Sequence, residues 1–195
     1  MTTSIVFFVV GAYLIGSVSS AIIVTRLFAI QDIRQQGSGN AGATNVLRVA
    51  GKKAAAIVFL FDLLKGAIPV YAGFLFGLAP IALSLVAIAA CLGHIFPVFF
   101  QFKGGKGVAT ALGALMPLDW ALAGCLFGTW LCVFTIARIS SVAAIVTFSL
   151  APIYTYIFEP DYTIAVTLLC LLIIGKHRDN IKRLFSSKEK AKNKS

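Results

Sequence analysis

The sequence predicts an all-α, polytopic membrane bundle of about seven transmembrane helices, with the N-terminus outside and the C-terminus inside. Three observations carry this. The mean hydropathy is +0.93, with 59% hydrophobic and only 12% charged residues, which excludes an ordinary water-soluble domain. Residues 1–25, 66–102 and 139–158 carry no Asp, Glu, Lys or Arg. A helix needs roughly 20 apolar residues to cross the hydrocarbon core, because backbone groups left unpaired in lipid are too costly. Finally, of 17 basic residues only Lys65 falls inside an apolar stretch. The others lie in or beside residues 28–53, the Lys103–Gly107 loop, Arg138 and the tail from Lys176, all of which fall on one side if the apolar stretches span. Basic residues mark the cytoplasmic face.

The elements follow in order. The first span runs from about Ile5 to Leu27 and is read as retained, since it has no basic n-region and meets Arg26 at its end. Residues 54–102 hold two helices, with Gly77-Leu78-Ala79-Pro80 as the turn. Residues 108–137 make a second hairpin turning at Met116-Pro117-Leu118-Asp119, and 139–175 a third turning at Glu159-Pro160-Asp161. Those opposite-face turns carry Asp119, Glu159 and Asp161 and no basic residue. The fourth span is the shortest. Only 12 residues separate Lys106 from Asp119, about 18 Å of helix against a core of ~30 Å. It is tilted, thins the bilayer or re-enters, and five spans is the count if it does not cross. At 195 residues the chain holds one membrane domain, 1–195, with 176–195 as a basic cytoplasmic tail.

A net charge of +10 from 17 basic and 7 acidic residues serves topology and attraction to anionic lipid. A helical bundle in the membrane offers no groove-reading module, so nucleic acid is not an expected partner. Cys91, Cys125, Cys132 and Cys170 sit in apolar stretches without metal-ligand spacing and read as small packing residues, so no metal is expected.

The inner face carries the chemistry. Gly37-Ser38-Gly39-Asn40-Ala41-Gly42-Ala43-Thr44-Asn45 is dense in glycine and side-chain donors. Such a segment folds back to present successive backbone N–H groups to an anion, with Ser38, Asn40, Thr44 and Asn45 adding donors. Arg48, four residues beyond Thr44, reaches the same site from a helix. A plain flexible connector is the competing reading, and it does not need this density of donors. Lys103-Gly104-Gly105-Lys106-Gly107 offers a second amide cradle with two point charges. It is not a Walker A loop, which requires glycine where Phe100 stands and Ser or Thr where Gly107 stands. Asp62 and Lys65, at i and i+3, form either a paired polar seam or a functional group at membrane depth. His94, in Gly93-His94-Ile95-Phe96-Pro97, reads as a supporting residue. His177, Asn180 and Leu184 share one helical face in the basic segment that opens the tail. These features suit either a phosphorylated metabolite meeting a lipid-borne acyl chain or an anion in transport.

Read together, these motifs are similar to those of the bacterial PlsY family of acyl-phosphate:glycerol-3-phosphate acyltransferases. The resemblance rests on Gly37-Ser38-Gly39-Asn40, Gly42-Ala43-Thr44-Asn45 and Arg48, then Asp62 with Leu64-Lys65-Gly66. It continues through Gly93-His94 with Pro97-Val98-Phe99 and Phe102-Lys103-Gly104-Gly105-Lys106-Gly107-Val108-Ala109-Thr110. It ends at His177-Arg178, Asn180-Ile181 and Arg183-Leu184, so it covers the whole chain in order. It implies transfer of an acyl group from acyl phosphate to sn-glycerol 3-phosphate, giving 1-acylglycerol 3-phosphate (lysophosphatidate) and phosphate in phospholipid synthesis.

The resemblance further implies catalytic roles for Ser38, Arg48, Lys106, His177 and Asn180. It implies a phosphate loop at Gly104, Gly105 and Gly107; the donor-rich segments add Gly37, Gly39, Asn40, Thr44, Asn45 and Lys103 as expected phosphate-binding residues, with Asp62, Lys65 and His94 in support. The place is the bacterial inner membrane, with the site facing the cytoplasm. The expected partners are the two substrates, membrane lipid and the soluble enzyme that makes acyl phosphate. Two departures stand out: Asp179 where the family commonly has Glu, and Ser187 where a Gly often precedes the tail acid, here Glu189.

The chemistry agrees with the resemblance. An acyl phosphate is an activated mixed anhydride, so neither ATP nor coenzyme A is required and no cofactor is expected. Fixed cations and backbone N–H groups hold two phosphate-bearing substrates together and stabilise the departing phosphate. The His with Asp five residues later, found in soluble-headed acyltransferases, is missing: Phe99 follows His94 and Lys182 follows His177 at that spacing. No Ser-His-acid triad can be assigned. The base is either the substrate's own phosphate or His177. A small anion transporter is disfavoured because no internal repeat is visible and the polar groups gather at one face. A purely structural scaffold is the third reading.

Overall fold

The structure, a computed structural model, describes residues 2–186; Ser187 and Glu189 lie outside them. All regular secondary structure among the described residues is helical, without strands. The chain forms two compact units, Met1–Leu118 and Asp119–Ser195.

In the first unit α1 (Thr2–Gly16) and α2 (Ser20–Leu27) share one apolar segment. α3 (Ala43–Leu75) is broken at Gly51, whose φ of 80° and ψ of −178° are not helical. α4 (Pro80–Ile95) and the short α5 (Val108–Leu115) complete the unit. The second unit holds α6 (Trp120–Ala137), α7 (Ser140–Phe158), α8 (Thr163–Lys176) and α9 (Arg178–Phe185).

Among the described residues, five helical segments are long and apolar enough to cross a membrane: Thr2–Leu27, Ala43–Leu75, Pro80–Phe100, Trp120–Ala137 and Ser140–Phe158. The count of seven added α5 and α8, which have eight and 14 residues, about 12 and 21 Å of helix. α5 starts only after the left-handed Gly107 (φ 87°) and stops before Pro117, which has no N–H to continue the ladder. Pro160 opens a 3₁₀ turn, Pro160–Tyr162, that shortens α8 from its start.

The predicted unbroken first span also differs. Residues 17–19 leave the helix, with Ser19 extended (φ −83°, ψ 94°). Ser17 Oγ folds back to the Tyr13 carbonyl at 2.8 Å. The Val18 carbonyl, released from the helical ladder, accepts instead from Lys65 Nζ at 2.9 Å. A backbone break inside an apolar segment stands when its freed groups are satisfied by protein.

Helix contacts in the first unit run through glycine. A Cβ on Gly16 would meet the Ala90 backbone and one on Gly93 the Tyr13 backbone, so α1 and α4 touch main chain to main chain. Gly66 and Gly113 do the same for α3 and α5, against Thr110 and Leu63. Lipid offers no hydrophobic drive between helices, so close backbone approach of small residues supplies the packing. The outer surface agrees: Phe7, Ile81, Ile136 and Ile164 are each at least 75% exposed. Such a belt is a liability in water and the expected surface in hydrocarbon.

Candidate active site

The loop between α2 and α3 is ordered by two side chains. Asp32 caps the 3₁₀ turn Ile33–Gln35 by accepting from Arg34 N at 3.0 Å. The Arg34 guanidinium grips the same carboxylate, Nη2 to Oδ2 at 2.6 Å and Nε to both oxygens at 3.0 Å. That donation holds the Asp32 carboxyl below the usual carboxylate range and raises Arg34. The pair's contribution is therefore present above the ordinary Asp titration and fades as pH falls through the lowered value. Arg34 Nη1 also reaches the Phe100 carbonyl at 3.2 Å, tying this loop to the segment that enters Lys103–Gly107. Arg34 and Asp32 carried no assignment from sequence, although their spacing of two was the available signal.

Asn45, 1% exposed, closes the loop from the first turn of α3. Its Oδ1 accepts from Ser38 N at 2.8 Å. Its Nδ2 donates to the carbonyls of Ile33 at 3.1 Å and Gln36 at 3.0 Å. Asn45 thus uses both ends of its amide inside the loop and shapes the cradle. Gly37 (φ 57°) and Gly39 (φ 74°) flank Ser38 in the left-handed region, which turns the Ser38 N–H onto Asn45. Gly39, Thr44 and Arg48 are exposed, and Ser38 and Asn40 are half-buried. Thr44 and Arg48 lie on the 43–50 portion of α3 before the Gly51 break.

Removing Asn45 leaves one buried and two half-buried backbone groups to find other partners, at about 1–3 kcal/mol for a buried group left unpaired. Asn45→Ala is expected to lower the thermal midpoint in detergent, followed by scanning fluorimetry, and to lower turnover at saturating substrates.

The second loop is seated on His94. Gly105 N donates to the His94 carbonyl at 3.1 Å. A Cβ on Gly104 would strike the His94 carbonyl and Pro97 Cδ. A Cβ on Gly105 would strike the His94 imidazole and would lie 2.8 Å from the Ala41 carbonyl. The two glycine-rich segments therefore abut at Ala41 and Gly105. Gly105 and Gly107 are buried, Lys106 is half-buried and Lys103 is exposed. The loop runs directly into α5, whose first helical bond is Ala111 N to the Gly107 carbonyl at 2.7 Å. The preceding amides at 108–110 point out of the helix start, where an anion is favoured.

Behind His94 lies a buried polar group. Asp62 Oδ1 accepts from Ser20 Oγ at 2.7 Å, pairs with Lys65 Nζ at 2.8 Å and stands 3.4 Å from His94 Nδ1. Ser20 and Val18 had no sequence signal, because the first span reads as uniformly apolar.

In the second unit His177 and Asn180 are both buried, at the α8–α9 junction and in the first turn of α9. His177 Nδ1 lies 2.8 Å from the Ile173 carbonyl. A carbonyl only accepts, so Nδ1 carries the proton and Nε2 is the basic nitrogen of the neutral ring. Asp179 is exposed and points toward Arg178 at 3.9 Å, away from the buried face.

The first unit thus brings together Ser38, Asn45, Gly104, Gly105, His94, Asp62 and Lys65, and the second brings together His177 and Asn180. Backbone amides, a planar guanidinium and lysines are the groups that hold phosphate. Comparison with known proteins agrees. The family profile described as glycerol-3-phosphate acyltransferase matches residues 6–187. A protein named glycerol-3-phosphate acyltransferase from Haemophilus influenzae (strain PittEE) is 52% identical over 189 residues, 97% of this chain and 95% of that one. One of the same name from Vibrio campbellii is 55% identical over 179 residues, 92% of this chain and 88% of that one.

Two crystal structures of PlsY (YgiH), an integral membrane glycerol 3-phosphate acyltransferase, share the fold. The glycerol 3-phosphate form superposes with a TM-score of 0.90 at 39% identity, covering 95% of this chain and 94% of that one. The lysophosphatidic acid form gives 0.87 at 38% identity, with the same coverage. The chain therefore belongs to the glycerol-3-phosphate acyltransferase family of integral membrane proteins, the family of PlsY.

Proposed function

We propose that this protein transfers an acyl group from acyl phosphate to sn-glycerol 3-phosphate, releasing 1-acylglycerol 3-phosphate and inorganic phosphate. The observation that carries the reading is the meeting of two glycine-rich segments at Ala41 and Gly105, each rich in backbone amides and flanked by basic side chains. The solved relatives, named for glycerol 3-phosphate and lysophosphatidic acid forms, support the acceptor and the product class.

In this reading the amides of Gly104, Gly105 and Gly107, with Lys103 and Lys106, neutralise phosphate charge. Gly37, Gly39, Asn40 and Thr44 line the other wall. Arg48 binds phosphate as a planar fork, and Ser38 donates a hydrogen bond. The acceptor hydroxyl attacks the acyl carbonyl; the C–O bond to phosphate breaks and phosphate leaves. The hydroxyl proton goes to substrate phosphate or to Nε2 of His177, which the Ile173 carbonyl holds in the basic tautomer. Asn180 acts beside His177. The activated anhydride supplies the driving force, so neither ATP nor coenzyme A enters the step. A soluble enzyme that makes acyl phosphate is the partner this chemistry requires.

The test is a single assay. Purified protein in detergent, given palmitoyl phosphate and glycerol 3-phosphate, is expected to release phosphate and form lysophosphatidate in equal amounts. An anion transporter does neither, and activity only with palmitoyl-coenzyme A removes acyl phosphate as donor.

The reading also places the site at the cytoplasmic face of the inner membrane, on the basic side of the chain. In intact cells, cysteines introduced at Pro160 are expected to react with an impermeant reagent. Those at Gly39 and Gly105 are expected to react only after permeabilisation, and labelling of either from outside reverses the orientation.

A further inference from the structure

The buried polar group behind the phosphate loop is more than helix packing requires. Asp62, Lys65, His94 and Ser20 are 2%, 7%, 6% and 6% exposed. Ionisable groups at membrane depth are costly, and a buried ion pair is often no more stabilising than apolar residues of the same volume. α3 already has its close packing through Gly66.

The geometry shows where the group acts. Asp62 Oδ1 gathers Ser20 Oγ, Lys65 Nζ and the Nδ1 edge of His94. Lys65 Nζ is fixed a second time by the Val18 carbonyl at the α1–α2 break. The opposite edge of the His94 ring, Nε2 and Cε1, fills the space a Cβ on Gly105 would occupy. The His94 carbonyl accepts from Gly105 N and lies against Gly104. His94 is therefore held between the carboxylate and the loop, and its ring stands with the Ala41 carbonyl against the Cβ side of Gly105.

We propose that Asp62 and Lys65 are positioning residues for the phosphate loop: they fix His94, and His94 sets the pose of the Gly104–Gly105 amides. This rests on the reading that this loop receives substrate phosphate. Asp62 and Lys65 contact no substrate; they act through the histidine.

The test compares wild type with Asp62→Asn, Lys65→Met and the double variant Asp62→Asn/Lys65→Met, which leaves no buried charge unpaired. Measured for each are kcat, the KM for glycerol 3-phosphate, inhibition by inorganic phosphate and the thermal midpoint. All three are expected to raise the KM and weaken phosphate inhibition about tenfold, with a smaller change in kcat, as when a substrate-positioning group shifts by a fraction of an ångström. The double variant is expected to do so while melting near wild type.

A double variant with wild-type KM and wild-type phosphate inhibition overturns the proposal and leaves the group structural. Should the double variant not fold, His94→Gln, which keeps polar ends without a ring, carries the same expectation and the same contradiction. Wild-type turnover insensitive to inorganic phosphate removes the phosphate site itself, and the proposal with it.

Discussion

Gly105→Ala is expected to raise the apparent KM for glycerol 3-phosphate by one to two decades, and to lower kcat by less. The cause is local. The added Cβ would enter the His94 ring and approach the Ala41 carbonyl to 2.8 Å, and neither neighbour can give way freely. The carbonyl is main chain, and the ring is backed by Asp62 at 3.4 Å. Overpacking of a filled site costs about 1–3 kcal/mol. If that strain displaces the amides that hold phosphate, each 1.4 kcal/mol of lost binding is a factor of about ten. A variant that only folds poorly loses active protein without a change in KM, so steady-state kinetics on the folded fraction separate the two. A normal KM with a collapsed kcat assigns the loop to the transition state instead.

Arg48→Lys is expected to be nearly as inactive as Arg48→Ala, although it keeps the charge. A guanidinium offers two parallel donors in a fixed plane, and an ammonium on a flexible stem does not. Losing one charge-assisted contact made only in the transition state costs roughly 1.5–3 kcal/mol, about one to two decades in rate. Ser38→Ala is expected to fall in the same range, because Ser38 donates a hydrogen bond and does not form an acyl-enzyme. Its main-chain N–H, bonded to Asn45 Oδ1, is unchanged by the substitution, so the loop keeps its shape. Arg48 is exposed and Ser38 half-buried, so both variants are expected to insert and melt like wild type. Near wild-type turnover by Arg48→Lys sinks the fork. A radiolabelled acyl group trapped on Ser38 sinks the non-covalent role.

The parts of the fold legible in the sequence were those written in charge and glycine. The helical class follows from long uncharged stretches, and the two glycine-rich loops from Gly37–Asn45 and Lys103–Gly107. Helix ends were less legible. Ser17-Val18-Ser19 reads as part of an apolar span, yet the chain breaks there, because Lys65 from a distant helix takes the freed Val18 carbonyl. By contrast, the ends of α5 and α8 were legible, because Pro117 and Pro160 mark the turns that bound them.

Within the site, Asn45 reads from sequence as a donor to phosphate, and the structure commits its amide to Ser38, Ile33 and Gln36. Asn and Ser in a glycine-rich loop satisfy loop backbone as readily as ligand, and spacing alone does not divide those uses. Asp62 with Lys65 was legible as a pair from the i, i+3 spacing. That His94 and Ser20 complete it depends on helix packing that no local pattern encodes.

One phosphate site built by both loops is tested most directly by a double-mutant cycle on inorganic phosphate binding. Gly39→Ala strains a left-handed position on one wall, and Gly105→Ala fills the other. Phosphate inhibition constants for wild type, both single variants and the double variant give the coupling. If the loops share one anion, both single variants weaken phosphate, and the double variant departs from their summed effects by more than about 0.5 kcal/mol. Effects that add within that margin, or a Gly39→Ala protein that binds phosphate like wild type, contradict a shared site.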